Sequence, residues 1–60
     1  MRIIITTKEK DNKFLETTFY NIWDIIETLE DLILLGNEDN KSITTNIKKD
    51  EIIKIKVKLE

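Results

Sequence analysis

The chain has 60 residues, no cysteine, no histidine and a net charge of −2 from ten basic and twelve acidic side chains. This composition removes disulfide staples, thiolate chemistry and zinc sites of the usual ligand types, and a chain this short has no room for a deep active site. Apolar residues make up 40% and charged residues 37%, a globular balance, and the longest apolar run, residues 32–35, falls far short of a bilayer. Only three isoleucines follow Arg2 before polar residues resume, so no signal peptide is read and a cytoplasmic location is expected. Abundant Ile, Lys and Asn, with no Ala, Pro, Gln or His, is the composition of an AT-rich genome, which suggests a phage or mobile element.

Residues 2–7 (RIIITT) are β-branched at nearly every position, as in a central strand covered on both faces. Residues 8–12 (KEKDN) end in Asp-Asn, which tolerates turn geometry, and residues 13–17 (KFLET) read as a second, edge strand of a hairpin. One register places Ile3 opposite Leu15 and Arg2 opposite Glu16.

Residues 18–35 (TFYNIWDIIETLEDLILL) carry the strongest periodic signal. At 100° per residue Ile22, Ile25, Ile26, Leu29, Leu32 and Ile33 share one face, which predicts an amphipathic helix, capped at Thr17, Thr18 or Asn21. Gly36, the single glycine, stands where a left-handed residue would end that helix. Residues 41–47 (KSITTNI) and 52–59 (IIKIKVKL) predict two further strands in a hairpin, with residues 49–51 as its loop. In the last strand Ile53, Ile55, Val57 and Leu59 alternate with Lys54, Lys56 and Lys58.

The predicted fold is therefore one α+β domain over residues 1–60. Its ββαββ order would give a four-stranded mixed sheet, strand order 2-1-4-3, with parallel central strands and one helix packed across one face. This element order resembles the β-grasp architecture and, in size, the small immunoglobulin-binding domains of streptococcal proteins G and L. No functional residue comes with that resemblance, which implies the fold alone. A competing arrangement leaves residues 13–17 as a loop beside a three-stranded sheet.

Charge is unevenly distributed. Residues 16–39 hold seven carboxylates and no lysine or arginine, whereas residues 1–13 and 40–60 carry net charges of +2 and +3. An acidic, solvated helix face is ordinarily a solubility feature. The functional expectation is a non-enzymatic protein-binding module whose acidic helix engages a basic partner surface through Asp24, Glu27, Glu30 and Asp31, with Trp23 and Leu34 as an apolar ridge beside them. Such a row can imitate a phosphate backbone, as an inhibitor of a restriction or CRISPR-type nuclease would. The alternative is a small nucleic-acid-binding regulator using Arg2, Lys48, Lys54, Lys56 and Lys58 on the sheet face, where stacking aromatics are lacking. A third expectation is a self-associating subunit, with Trp23 and Leu34 at a homodimer interface. No catalytic residue, cofactor, metal ligand or membrane contact is assigned: carboxylates at i,i+4 without a pocket or a histidine make no acid–base pair, and residues 38–40 match no calcium loop.

Overall fold

Isoleucine, leucine and threonine together supply 25 of the 60 residues, and the computed structural model, which describes residues 1–59, uses them almost entirely as strands. The six strands are β1 (Arg2–Lys8), β2 (Phe14–Phe19), β3 (Ile22–Glu27), β4 (Asp31–Glu38), β5 (Lys41–Lys48) and β6 (Ile52–Lys58). Two 3-10 turns, Lys10–Asn12 and Lys49–Glu51, connect β1 to β2 and β5 to β6. The strands form two three-stranded antiparallel sheets, β2-β1-β6 and β3-β4-β5, so β1 and β4 are the central strands. Ile3 and Ile5 of β1 face Ile22, Leu32 and Leu34 across the space between the sheets, and these five side chains are the buried core. Met1, Phe19, Ile25, Ile47 and Ile52 pack around it, half-buried.

Turn chemistry sets the connections. Asp39 and Asn40 both adopt left-handed backbone (φ 50° and 66°) between the facing pair Glu38 and Lys41, the two-residue turn whose twist suits a hairpin. Asp11 and Asn12, at φ 65° and 60°, turn the chain between β1 and β2. Between β3 and β4 the Thr28 N–H donates to the Asp31 carbonyl (2.9 Å), and the Asp31 N–H donates to Thr28 Oγ1 (2.9 Å). Leu29, at the tip of that turn, is 93% exposed.

The corner between the sheets is made by Tyr20 and Asn21, which join β2 directly to β3. Asn21 takes φ 58°, a conformation that asparagine accepts more readily than other side chains. Three bonds stitch the corner: the Met1 ammonium donates to the Ile22 carbonyl (2.8 Å), the Ile22 N–H to the Met1 carbonyl (3.0 Å), and the Asn37 N–H to the Asn21 carbonyl (3.2 Å). Gly36 lies buried beneath it, where a Cβ would stand 2.9 Å from Ile22 Cδ1 and 3.0 Å from the Asn21 carbonyl oxygen.

The predicted α+β fold is thus corrected. There is no helix over residues 18–35 and no β-grasp sheet: that stretch is the end of β2, the corner, β3, a turn and most of β4. A β-bulge explains the false period. Ile22 faces Gly36 while Asp24 faces Leu35, so Trp23 is an extra residue, and the inward positions of β3 become Ile22 and Ile25, three apart as on a helix. Beyond the turn the inward positions return to alternation at Leu32, Leu34 and Gly36. Ile26 and Ile33, placed on the helical stripe by the sequence, face each other on the outer side of the sheet. Gly36 is not left-handed and ends nothing; it is needed for close approach.

β1 is central and β2 is an edge strand, as the sequence suggests, but their register is Ile3 opposite Phe19 and Thr7 opposite Leu15, four residues from the expected pairing. The final strand lies antiparallel to β1, not parallel, because no helical crossover separates them. β5 and β6 flank a three-residue connection, yet they belong to different sheets and form no hairpin.

Replacing Gly36 by alanine is expected to destabilise the fold by about 1–3 kcal/mol through overpacking against a backbone carbonyl, read from urea unfolding. Asn21→Gly should be close to neutral and Asn21→Val should cost about 1–2 kcal/mol; equal stability of the two would contradict the left-handed corner.

Candidate nucleic-acid interface

Residues that face each other in an antiparallel pair project to the same side of the sheet. Ile3 and Ile5 point into the core, so Arg2, Ile4, Thr6 and Lys8 project outward from β1. The β1–β6 register sets Arg2 opposite Lys58, Ile4 opposite Lys56 and Thr6 opposite Lys54. On the other flank Ile4 faces Thr18, Thr6 faces Glu16 and Lys8 faces Phe14. One outer face therefore collects Arg2, Lys8, Lys54, Lys56 and Lys58, and among the described residues the register places Glu16 on it as well. Thr6 separates Glu16 from Lys54, a gap of roughly 10 Å at two strand spacings.

Successive lysines of β6 lie about 6.7 Å apart along the strand. No ion pair within the described residues engages Lys54, Lys56 or Lys58. The register places Arg2 directly opposite Lys58. Phe14, 65% exposed, supplies an aromatic ring at the end of the same face.

Four of the five residues expected on a basic face are thus brought together: Arg2, Lys54, Lys56 and Lys58. Lys48 is not among them. It projects from β5 in the other sheet, opposite Asp31, with its Nζ 3.6 Å from Asp31 Oδ1. Lys8 and Phe14 are additions. Both were recoverable by parity, since alternation from Arg2 reaches Lys8, and the expected hairpin register also sets Phe14 on Arg2's side.

The acidic set does not form a row. Asp24 lies on the outer face of the second sheet and accepts the Ile25 N–H at 2.9 Å. Asp31 faces Lys48, Glu27 pairs with Lys49, and Glu30 stands in the β3–β4 turn, where its carbonyl accepts the Lys49 N–H at 2.9 Å. Two of the four carboxylates are therefore neutralised by lysines from outside the acidic stretch. Leu34 is 1% exposed and belongs to the core, so the expected ridge with Trp23 does not exist. Trp23, in its bulge, is 56% exposed, and Tyr20 at the corner 63%, so neither caps the core. Without a helix there is no acidic helix face to engage a partner or to imitate a phosphate backbone.

The Lys49 ammonium donates a hydrogen bond to Glu27 and adds its charge, and together these hold the Glu27 carboxyl below its ordinary range. The contact also ties the β3–β4 turn to the 3-10 turn before β6, as Lys49 Nζ donates to the Thr28 carbonyl (3.2 Å). A carboxyl lowered on folding stabilises above its ordinary value near 4.5 and loses that contribution as pH falls through its folded value. A carboxyl-carbon NMR titration should find Glu27 titrating below its ordinary range, and Lys49→Ala should return it there; an unchanged Glu27 in that variant would contradict the pairing.

No three His, Cys, Asp or Glu side chains are grouped to hold a metal ion among the described residues, and none of their helices is long and apolar enough to cross a membrane. Comparison with family models, curated proteins and solved structures finds no match to this chain.

Proposed function

We propose that this protein is a binding module that holds nucleic acid by its phosphate backbone on the outer face of the β2-β1-β6 sheet. The observation that carries this reading is the β1–β6 register, which aligns Arg2, Lys54, Lys56 and Lys58 on one side of one sheet. Lys8 extends the charge along β1, and Phe14 offers one ring for a base to stack on. Thr6 and Thr18 are hydroxyl donors within the same surface. A shallow sheet face with one ring reads backbone rather than sequence, so binding would be weakly sequence-dependent and strongly salt-dependent. No chemical step is assigned to the module.

Affinity for a single-stranded oligonucleotide, measured by fluorescence anisotropy across a salt series, should fall with a log–log slope of about −3 for four phosphate contacts. Changing Lys54, Lys56 and Lys58 together to serine should flatten that slope by about 2. No binding by the parent at low salt overturns the reading. So does binding that ignores the serine changes and is lost instead on Trp23→Ala, which would move the contact to the other sheet.

A further inference from the structure

Two three-stranded sheets leave four edge strands, β2, β6, β3 and β5, and an edge strand invites pairing unless something blocks it. Three carry blocks. β6 alternates lysines along its length, and its pairing slips between Thr6 and Thr7, so that Ile53 is bulged. β3 is bulged at Trp23 and flanked by Asp24 and Glu27. β2 carries Glu16 in mid-strand.

β5 differs. It is eight residues long and pairs with β4 without a register shift. Positions 42–47 (SITTNI) contain no charge, proline or glycine, and all but Thr45 and Ile47 are exposed. Because the Asp39-Asn40 turn makes Glu38 and Lys41 a hydrogen-bonded pair, Lys41, Ile43, Thr45 and Ile47 bond to β4. The N–H and C=O groups of Ser42, Thr44, Asn46 and Lys48 then point along the open edge.

We infer that the β5 edge is a dimer interface, pairing antiparallel with β5 of a second copy of this chain to join two three-stranded sheets into one of six strands. Self-complementarity selects the occupant. With the two-fold axis at Thr45, Thr44 faces Asn46 of the partner subunit, Ile43 faces Ile47 of the partner subunit and Ser42 faces Lys48 of the partner subunit. No like charges oppose each other over that span. An antiparallel pairing of β6 with its own copy sets lysine against lysine, which is unfavourable.

Area points the same way. The chain exposes 4781 Å², against about 4,100 Å² for a compact monomer of this mass. The excess of about 700 Å² is close to the roughly 800 Å² that each partner buries in a standard interface. Ile43, on the core side of β5 and 36% exposed, would meet the partner's Ile47 and extend the core across the seam. The two lysines of β5, Lys41 and Lys48, are not part of the basic face, so the dimer stands apart from the nucleic-acid reading.

Sedimentation equilibrium tests it. The parent should give a concentration-dependent mass approaching twice 7.1 kDa. Asn46→Pro removes an N–H from the open edge but not from the β4 ladder, a position an edge strand tolerates. The double change Thr44→Lys with Asn46→Lys places lysines opposite lysines only in the dimer and leaves two solvent-facing positions solvent-facing in the monomer. Both variants should sediment as monomers, and the double lysine variant should keep the parent's circular dichroism spectrum. A parent that stays monomeric at its highest soluble concentration overturns the inference, as does a dimer that survives the lysine pair.

Discussion

The fold depends on one close approach. At Asn21 the chain leaves the first sheet and enters the second, and it can do so only because Gly36 presents no side chain to the corner. The bend turns what would be a single long strand into β2 and β3, and so creates two sheets where a straight chain would have made one. Everything that follows is a consequence of that division. β1 and β4 become central strands whose inward isoleucines and leucines meet, while the remaining four strands become edges. With five buried apolar side chains among the described residues, the core is small even for a domain of this length, and such domains commonly draw stability from association.

Much of the strand content was legible locally. Residues 2–7, 41–47 and 52–59 match β1, β5 and β6 within a residue or so, because β-branched runs and period-2 alternation act over short range. The first hairpin was readable from Asp11-Asn12, though not its register, since a five-residue connection does not fix one as Asn-Gly would. What failed was the middle of the chain. A single bulged tryptophan put Ile22 and Ile25 three apart, Leu29 at a turn tip continued the apparent stripe, and Gly36 stood where a helix should end. Each local signal was real and had another cause. Thr28, whose hydroxyl ties the turn, and the β-branched content of residues 22–26 were the counter-indications, and tertiary pairing decided in their favour.

Function shifts with the fold. An acidic helix would have gathered Asp24, Glu27, Glu30 and Asp31 on one face, whereas strands and turns scatter them and give Glu27 and Asp31 to lysines. The basic residues behave oppositely. They sit on alternate positions of adjacent strands, and alternation survives any register of the same parity, so Arg2, Lys54, Lys56 and Lys58 stay together although the predicted sheet was wrong. The chain is electrically two-sided: cations gather on the outer face of one sheet, and carboxylates, partly paired, lie around the other. Self-pairing through β5 would join the second sheets and leave both basic faces free, presenting two such surfaces on one particle.

Titration of ¹⁵N-labelled protein with a single-stranded oligonucleotide, followed by amide chemical shift, tests the basic sheet face directly. Nucleic acid held on the β2-β1-β6 face should perturb the amides of Arg2, Lys8, Phe14, Lys54, Lys56 and Lys58, and the perturbations should fade as salt is raised. Perturbations centred on Trp23, Asp24 and Ile26, or none at low salt, would contradict it.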